Sequence, residues 1–500
     1  MSEHENNEAA SLKLRTARTL KWNTIDRVSS QILYAAVGVV LANLLSKEDF
    51  GLVGALLVFQ AFGILFVDSG FGSALLQKKE PTRTDYSTVF WFNLTISLIV
   101  YTLLFISAPL ISDIFQGDRR LIPLSRVMFL SFIFNGLSLV QTTRLMKEMN
   151  VKQIAVANMV GLTCSGAIGI YMAFAGFGAW ALVWQTVSLS VIKSSWLWIT
   201  GKWMPNLIFS KESLKHIWRL GFSVFSSSAL NTFFLYIYSI VIGAFYSLTA
   251  LGVYTQADKW SKMGSASISQ VLTASFVPLL AKFQDDGENF RRYVHKINRF
   301  AAFIMFPAMI GIAVIGQPLF HALFSTKWDA AIVLFQILAI RGIFIVLISL
   351  YNNYLLALGY GRRLFMVEIV KDAMIFAAIL STIWFGSVEL LVWGQLAAST
   401  ITYFVVLAIT SQATSIQITS MVKDLLPFAL ISILMATVSV IAMQIPTMLN
   451  FGVRTTATLQ LSLMVAAGAA TYLAALRLCH IPELREASGY LLGRFRRNRQ

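Results

Sequence analysis

The sequence predicts an all-α integral membrane protein of about 14 transmembrane helices: two six-helix lobes related as a parallel repeat, plus two additional C-terminal helices. Three observations predict it. Hydrophobic residues make up 57% of the 500 and charged residues only 13%, with a mean hydropathy of +0.69, far from the balance of a soluble domain. Apolar runs repeatedly reach the ~20 residues a helix needs to cross a bilayer. Landmarks of the first lobe also recur in the second, in the same order. Ser46 to Gly51 returns as Ser247 to Gly252; Ala108, Pro109, Leu110 and Phe115 return as Gln317, Pro318, Leu319 and Phe324. Phe177, Gly178, Leu182, Val183, Trp184 and Gln185 return as Phe385, Gly386, Leu391, Val392, Trp393 and Gln395. Since each repeat holds an even number of crossings, the two share an orientation about an axis along the membrane normal, and such a pair is expected to enclose a central cavity.

The first 20 residues are polar and charged (Glu3, Glu5, Glu8, Lys13, Arg15, Arg18), so the first hydrophobic helix, not a cleavable signal peptide, is expected to direct insertion. The first lobe, residues 1–205, holds spans at 22–46, 49–76, 87–112, 121–143, 153–175 and 177–199. The first carries Asp26 and Arg27, the second Asp68, and the third ends in the repeated Ala108-Pro109-Leu110. Arg126 and Lys193 fall near the ends of the fourth and sixth, as snorkelling residues do. Gly201 to Glu212 forms a short interfacial linker to the second lobe, residues 206–411, with spans at 213–245, 249–281, 293–317, 329–356, 363–384 and 388–410. Spans 424–446 and 455–477, within 412–478, have no counterpart in the repeat. In the basic tail, 479–500, Leu484, Leu491 and Phe495 alternate with Arg485, Arg494, Arg496, Arg497 and Arg499, a pattern suited to an anionic membrane surface and equally to a plain topology anchor.

A net charge of +16 could suggest nucleic acid, but the distribution of the 40 Lys and Arg residues argues otherwise. Loops on the side opposite the N-terminus hold only Lys47, Arg119, Arg120, Lys327 and Arg454, while most of the others lie on the N-terminal side. By the positive-inside rule both termini are expected to be cytoplasmic, and the basic excess also attracts anionic membrane lipid. No nucleic-acid partner is expected. External loops are short, the longest near Asp113 to Arg120, which argues against a membrane polymerase or ligase. No loop carries a clustered carboxylate pair, a nucleophile motif or metal-ligand spacing, so the chain is not read as an enzyme and no metal site is expected. Only Cys164 and Cys479 are available for thiol chemistry.

A charge inside a span costs at least a few kcal/mol unless it is paired or watered, so each is a candidate functional residue. Arg27 and Asp68 lie 21 and 20 positions from Glu48 in the first external turn, which predicts that adjacent antiparallel helices bring them to one depth, with Asp26 beside them. They could form a static staple between helices 1 and 2, or a cytoplasmic phosphate or proton site. The eighth span is the most polar, with Thr255, Asp258, Lys259, Lys262, Ser265 and Ser269 at helical spacing, a stripe that must face the interior. At about 1.5 Å per residue Lys259 sits roughly 16 Å beyond the turn near Leu248, close to the bilayer midplane. An i,i+4 pair of Asp258 with Lys262 would leave Lys259 outside it. Arg341 in the tenth span is similarly deep, and Glu368, Lys371 and Asp372 in the eleventh can neutralise one another. The repeat kept backbone but not charge: Ser227 and Ser228 match Asp26 and Arg27, and Val58 matches Lys259. Such unlike walls suit a polar, asymmetric substrate.

Phe66 to Leu76, with Asp68, Ser69, Gly70, Phe71 and Gly72, together with Phe177 to Val183, resembles the Wzx-type polysaccharide exporters of the multidrug/oligosaccharidyl-lipid/polysaccharide superfamily, and among them the subgroup that includes the colanic acid exporter. The resemblance covers essentially the whole chain. It implies a bacterial inner-membrane location and alternating access by two six-helix lobes, with transfer of undecaprenyl-pyrophosphate-linked oligosaccharide from the cytoplasmic to the periplasmic leaflet, alongside polysaccharide assembly proteins. It also implies a cationic lumen for the pyrophosphate, which Lys259, Lys262, Arg341, Arg27 and Lys371 could supply here. No cofactor is implied; coupling to a proton or sodium ion would fall to Asp26, Asp68 or Asp258. A cation-coupled multidrug exporter is the alternative within the superfamily, and it would favour acidic over basic lumen residues.

Overall fold

The computed structural model describes residues 3–68, 70–284, 286–324, 326–445 and 452–484, and in these the regular structure is helical. In the first half the helices are α1 (Glu3–Leu44), α2 (Lys47–Asp68), α3 (Phe71–Gln77), α4 (Arg83–Ile106), α5 (Ala108–Ile114), α6 (Leu121–Met128), α7 (Ser131–Lys147), α8 (Val151–Phe174) and α9 (Ala179–Gly201). There follow α10 (Lys211–Phe245), α11 (Leu248–Ala281), α12 (Gly287–Val314), α13 (Gly316–Leu323), α14 (Asp329–Ala357), α15 (Gly361–Thr382), α16 (Val388–Thr414), α17 (Ile418–Met443) and α18 (Val453–Leu478).

The repeat is visible in this order. A short helix follows the third long helix of each half, α5 in one and α13 in the other, and each ends on a buried phenylalanine, Phe115 or Phe324. Gly178 and Gly386, at φ 54° and 66°, turn the chain just before α9 and α16. Several expected spans are interrupted. The second divides into α2 and α3 because Gly70 takes φ 70° and ψ 0°, a left-handed backbone that stops a right-handed helix and that glycine adopts without a Cβ clash. At the start of α4, Thr82 and Asp85 form a reciprocal cap, each side chain accepting the other's amide.

Among the described residues, eleven helical stretches are long and apolar enough to cross a membrane. The expected segments that fall short are α9, α11 and α15. The last two are the charge-bearing helices, with Asp258, Lys259 and Lys262 in one and Glu368, Lys371 and Asp372 in the other; α9 carries Lys193 among serines. Large apolar side chains such as Phe174, Ile199 and Trp384 stay exposed, as lipid contact requires.

Packing divides the chain into two compact units, Met1–Gly252 and Val253–Gln500. This boundary differs from the sequence boundary at 206 because α10, the first helix of the second repeat, packs on α2, α3 and α4. In the first unit α8 lies between α1 and α9, and α7 between α4 and α9. In the second, α14 packs on α12 and α16, and α15 packs on α16. The two helices outside the repeat dock there as well, α17 on α12 and α18 on α17 and α13. The tail from Arg485 onward lies outside the described residues, so its surface-lying pattern has no structural counterpart here.

Candidate functional site

The cations of the second unit are arranged by α11 and α14. Lys262 Nζ lies 2.6 Å from Asp258 Oδ2, the i,i+4 pair their spacing permits. Lys259 Nζ stands 5.4 Å from the centroid of the Trp260 ring, within cation–π range. That ring is fixed by its own Nε1 donating to Gln256 Oε1 at 3.1 Å and by Phe324, 5.3 Å away between centroids. On α14, Arg341 donates Nε to Ser399 Oγ of α16 at 2.9 Å, which sets the direction of its guanidinium.

A glycine brings these two helices together. Gly342, next to Arg341, packs so closely on α11 that a Cβ there would stand 3.2 Å from the Cβ of Ser265 and would overlap the Met309 methyl of α12. Ser265 lies one turn beyond Lys262 on the same face. The level of Lys262 and the level of Arg341 therefore meet on adjoining helices, and both residues are half-buried. Two lysines and an arginine thus stand on these helices, with Asp258 paired to Lys262. An anionic group is the ligand such a region can stabilise within an apolar zone.

Lys371 is engaged within α15: it pairs with Glu368 and lies 3.8 Å from Asp372 Oδ1, the internal neutralisation that its spacing allows.

In the first unit the anticipated staple between Arg27 and Asp68 does not form. The main contact of α1 runs along α8, not α2. Asp26 therefore accepts the Asn158 side-chain amide at 3.0 and 3.2 Å, and Ser30 donates to it at 3.3 Å, while Arg27 is exposed. Asp68 accepts the backbone amide of Gly72 and so caps α3 across the break at Gly70. Equal depth from a shared turn was the basis of the expected pair, and it fails because depth does not fix which helix is the neighbour.

Sequence reasoning also passed over Asn158 as the partner of Asp26. An asparagine within an apolar span was the available signal. A second polar group ties the extra helices down. His295 Nδ1 of α12 meets Asp424 Oδ2 of α17 at 2.6 Å, and Tyr354 of α14 donates to Asn298 Oδ1 at 2.9 Å, with the Asn298 amide 3.5 Å from the same Asp424 oxygen. Arg299 pairs with Glu483 just past α18. Among the described residues no three His, Cys, Asp or Glu side chains gather as metal ligands.

A family model described as polysaccharide biosynthesis protein matches residues 40–333. The teichuronic acid biosynthesis protein TuaB of Bacillus subtilis (strain 168) is 25% identical over 463 residues, 91% of this chain and 93% of its own. The lipopolysaccharide biosynthesis protein WzxC of Escherichia coli (strain K12) is 24% identical over 339 residues, 67% of this chain and 68% of its own. Among solved structures, the lipid II flippase MurJ in an inward closed conformation matches with a TM-score of 0.72 at 15% identity, covering 92% of this chain and 99% of that one. At that identity the likeness establishes the fold alone.

Proposed function

The chain belongs to the polysaccharide biosynthesis protein family, and from that membership we propose that it is an alternating-access flippase moving undecaprenyl-pyrophosphate-linked oligosaccharide repeat units from the cytoplasmic to the periplasmic leaflet. It is a multi-span membrane protein that shares the fold of MurJ. The observation that carries the proposal is the placement of Lys259, Lys262 and Arg341 on adjoining helices α11 and α14. MurJ, which shares the fold, is a lipid II flippase by name, and this supports a lipid-linked cargo.

In this reading the pyrophosphate is the anion that makes deep cations tolerable. Arg341, oriented by Ser399, offers a planar fork to phosphate oxygens, and Lys259 and Lys262 act as point charges. The glycan occupies the polar interior while the polyprenyl tail stays in lipid. Binding must stay moderate, since a site that held the carrier too tightly would not release it on the far side. Coupling to a proton or sodium ion is assigned to Asp26 and Asp258, the two candidate carboxylates not committed to capping a helix. The protein would sit in the bacterial inner membrane with both termini cytoplasmic and hand its cargo to polysaccharide assembly proteins.

Reconstitution tests this. Purified protein in vesicles carrying a fluorescent undecaprenyl-pyrophosphate oligosaccharide should move the label to the opposite leaflet, as read by quenching with an impermeant reagent. Quenching that stays at the protein-free level, with several glycans and with proton and sodium gradients of either sign, would reject the proposal.

A further inference from the structure

At one end of the first unit is a cleft whose lining includes none of the residues of the proposed transport site. Arg83 and Tyr86 at the start of α4, Arg144 and Glu148 at the end of α7, and Lys202 and Trp203 just past α9 surround about 390 Å³ of open volume.

Its wall is built from the segment between α9 and α10, which sequence alone presented as a linker. Arg144 Nη2 donates to the Gly201 carbonyl at 2.9 Å and Gln141 Nε2 to the Trp203 carbonyl at 2.8 Å. Arg83 Nη2 reaches the Met204 carbonyl at 3.4 Å, and Trp91 Nε1 the Asn206 carbonyl at 2.9 Å. Between the first two clamped carbonyls, Lys202 is held at φ 48° and ψ 18°. That left-handed conformation carries a steric cost for any residue with a Cβ, and glycine or asparagine would bear it more easily. Among the described residues Lys202 is one of five non-glycine positions at positive φ, and with its neighbours pinned on both sides it adds its charge to the lining of the cleft.

The balance of charge points the same way. Arg83, Arg144 and Lys202 bring three cations to the lining, against one carboxylate, Glu148, which lies 3.0 Å from Arg144 Nε. The nearby Asp85 is taken up by Lys78 and by the cap at Thr82. The floor is aromatic, with the Tyr86 and Trp203 rings 6.3 Å apart in an edge-to-face contact. Two planar guanidinium groups and an ammonium over an aromatic floor, at the end of a set of membrane helices, match a phosphate at headgroup level.

We propose that this cleft binds a phosphate group at the membrane surface, presented by an anionic lipid headgroup or by a soluble phosphate compound. Placing it at the cytoplasmic leaflet, where anionic lipid concentrates, rests on the orientation given under the proposed function; the binding chemistry does not.

The test uses the full-length protein in detergent, with native mass spectrometry reading bound phosphatidylglycerol, phosphatidic acid and phosphatidylcholine, and isothermal titration reading inorganic pyrophosphate. Lys202→Gly removes the charge while suiting the left-handed backbone, so its fold should be at least as stable as the parent's. Phosphatidylglycerol, phosphatidic acid or pyrophosphate should bind at least fivefold more weakly to Lys202→Gly and to Arg83→Gln, and Lys202→Arg should keep most of the affinity. Loss confined to the anionic lipids identifies a headgroup site, and loss confined to pyrophosphate identifies a soluble ligand. If Lys202→Gly and Arg83→Gln bind all probes as the parent does, or if phosphatidylcholine binding falls equally, the proposal is overturned. Because the readout is binding, that failure leaves the flippase proposal standing, and failure of vesicle transport leaves this one standing.

Discussion

Gly51 and Gly252 make the same contact with each other's helix. Gly51 lies against the backbone carbonyl of Leu248, and Gly252 against that of Lys47, so closely that a Cβ on either would overlap the facing oxygen. Lys47 and Leu248, like Gly51 and Gly252, are matching positions of the repeat. The starts of α2 and α11 therefore pack reciprocally, each glycine against the other helix's backbone.

Substitution at this contact should be costly. In Gly51→Ala the added methyl meets backbone and not a yielding side chain, so the helices must separate. Overpacking typically costs about 1–3 kcal/mol, and this site belongs at the upper end. Gly287→Ala is the control, since nothing lies within 4 Å of a Cβ there. Melting followed by size-exclusion chromatography should show a clear drop for Gly51→Ala and Gly252→Ala and none for Gly287→Ala.

Transport should depend on the cations of α11 and α14. Lys259→Ala and Arg341→Ala should reach the membrane at parental abundance yet fail to restore surface polysaccharide in a strain lacking the exporter, with Lys259→Arg partly active. Full export by both alanine variants at matched abundance would remove the cationic site from the mechanism.

The polar pairs of the first unit give a direct comparison. Asp26 and Asn158 share hydrogen bonds, so Asp26→Ala and Asn158→Ala should couple by about 1 kcal/mol or more in a double-mutant cycle on stability. Arg27→Ala and Asp68→Ala, which share none, should add within about 0.5 kcal/mol. Strong coupling between Arg27 and Asp68 would reinstate the staple.

Docking of the extra helices should be sensitive to acid. Burial pushes the Glu483 carboxyl up, but the Arg299 guanidinium more than offsets this and holds it below the usual glutamate range. A carboxyl depressed in the folded state contributes stability above its unfolded value, near 4.3, and that contribution is lost as pH falls through the folded one. Proteolysis beyond α18 should accelerate on acidification below about pH 4.5, and Glu483→Gln should be insensitive over that window. Asp424→Ala, which strips His295 of its partner, should loosen α17 at neutral pH.

Topology follows from the charge asymmetry. With Cys164 and Cys479 replaced, both being exposed thiols, Asp113→Cys should react with an impermeant reagent added outside cells and Lys79→Cys only after permeabilisation. Ser112 would be a poor reporter because it is buried. Labelling of Lys79→Cys alone from outside would invert the assigned orientation.

The sequence alone was enough for the membrane class, the helical order and the duplication. Each rests on near-neighbour physics: apolar runs long enough to span, charges gathered at one side's loops, and repeated landmarks that mark the same turns, such as Gly178 and Gly386 at positive φ. The pairing of Lys262 with Asp258 and of Lys371 with Glu368 was legible for the same reason, since i,i+3 and i,i+4 neighbours are set by the helix itself.

What the tertiary structure decided were the partners between helices. The family-like stretch around Asp68 is a helix break capped by its own aspartate. Asp26 turned to α8 for Asn158, Gly342 brought the level of Arg341 against α11, and α10 packed with the helices of the other repeat. Hydropathy gives each helix its depth and a polar face. In a bilayer many neighbours are equally apolar, so the choice among them falls to small residues that permit close approach and polar groups that must be satisfied, and those act only once the chain has come together in three dimensions.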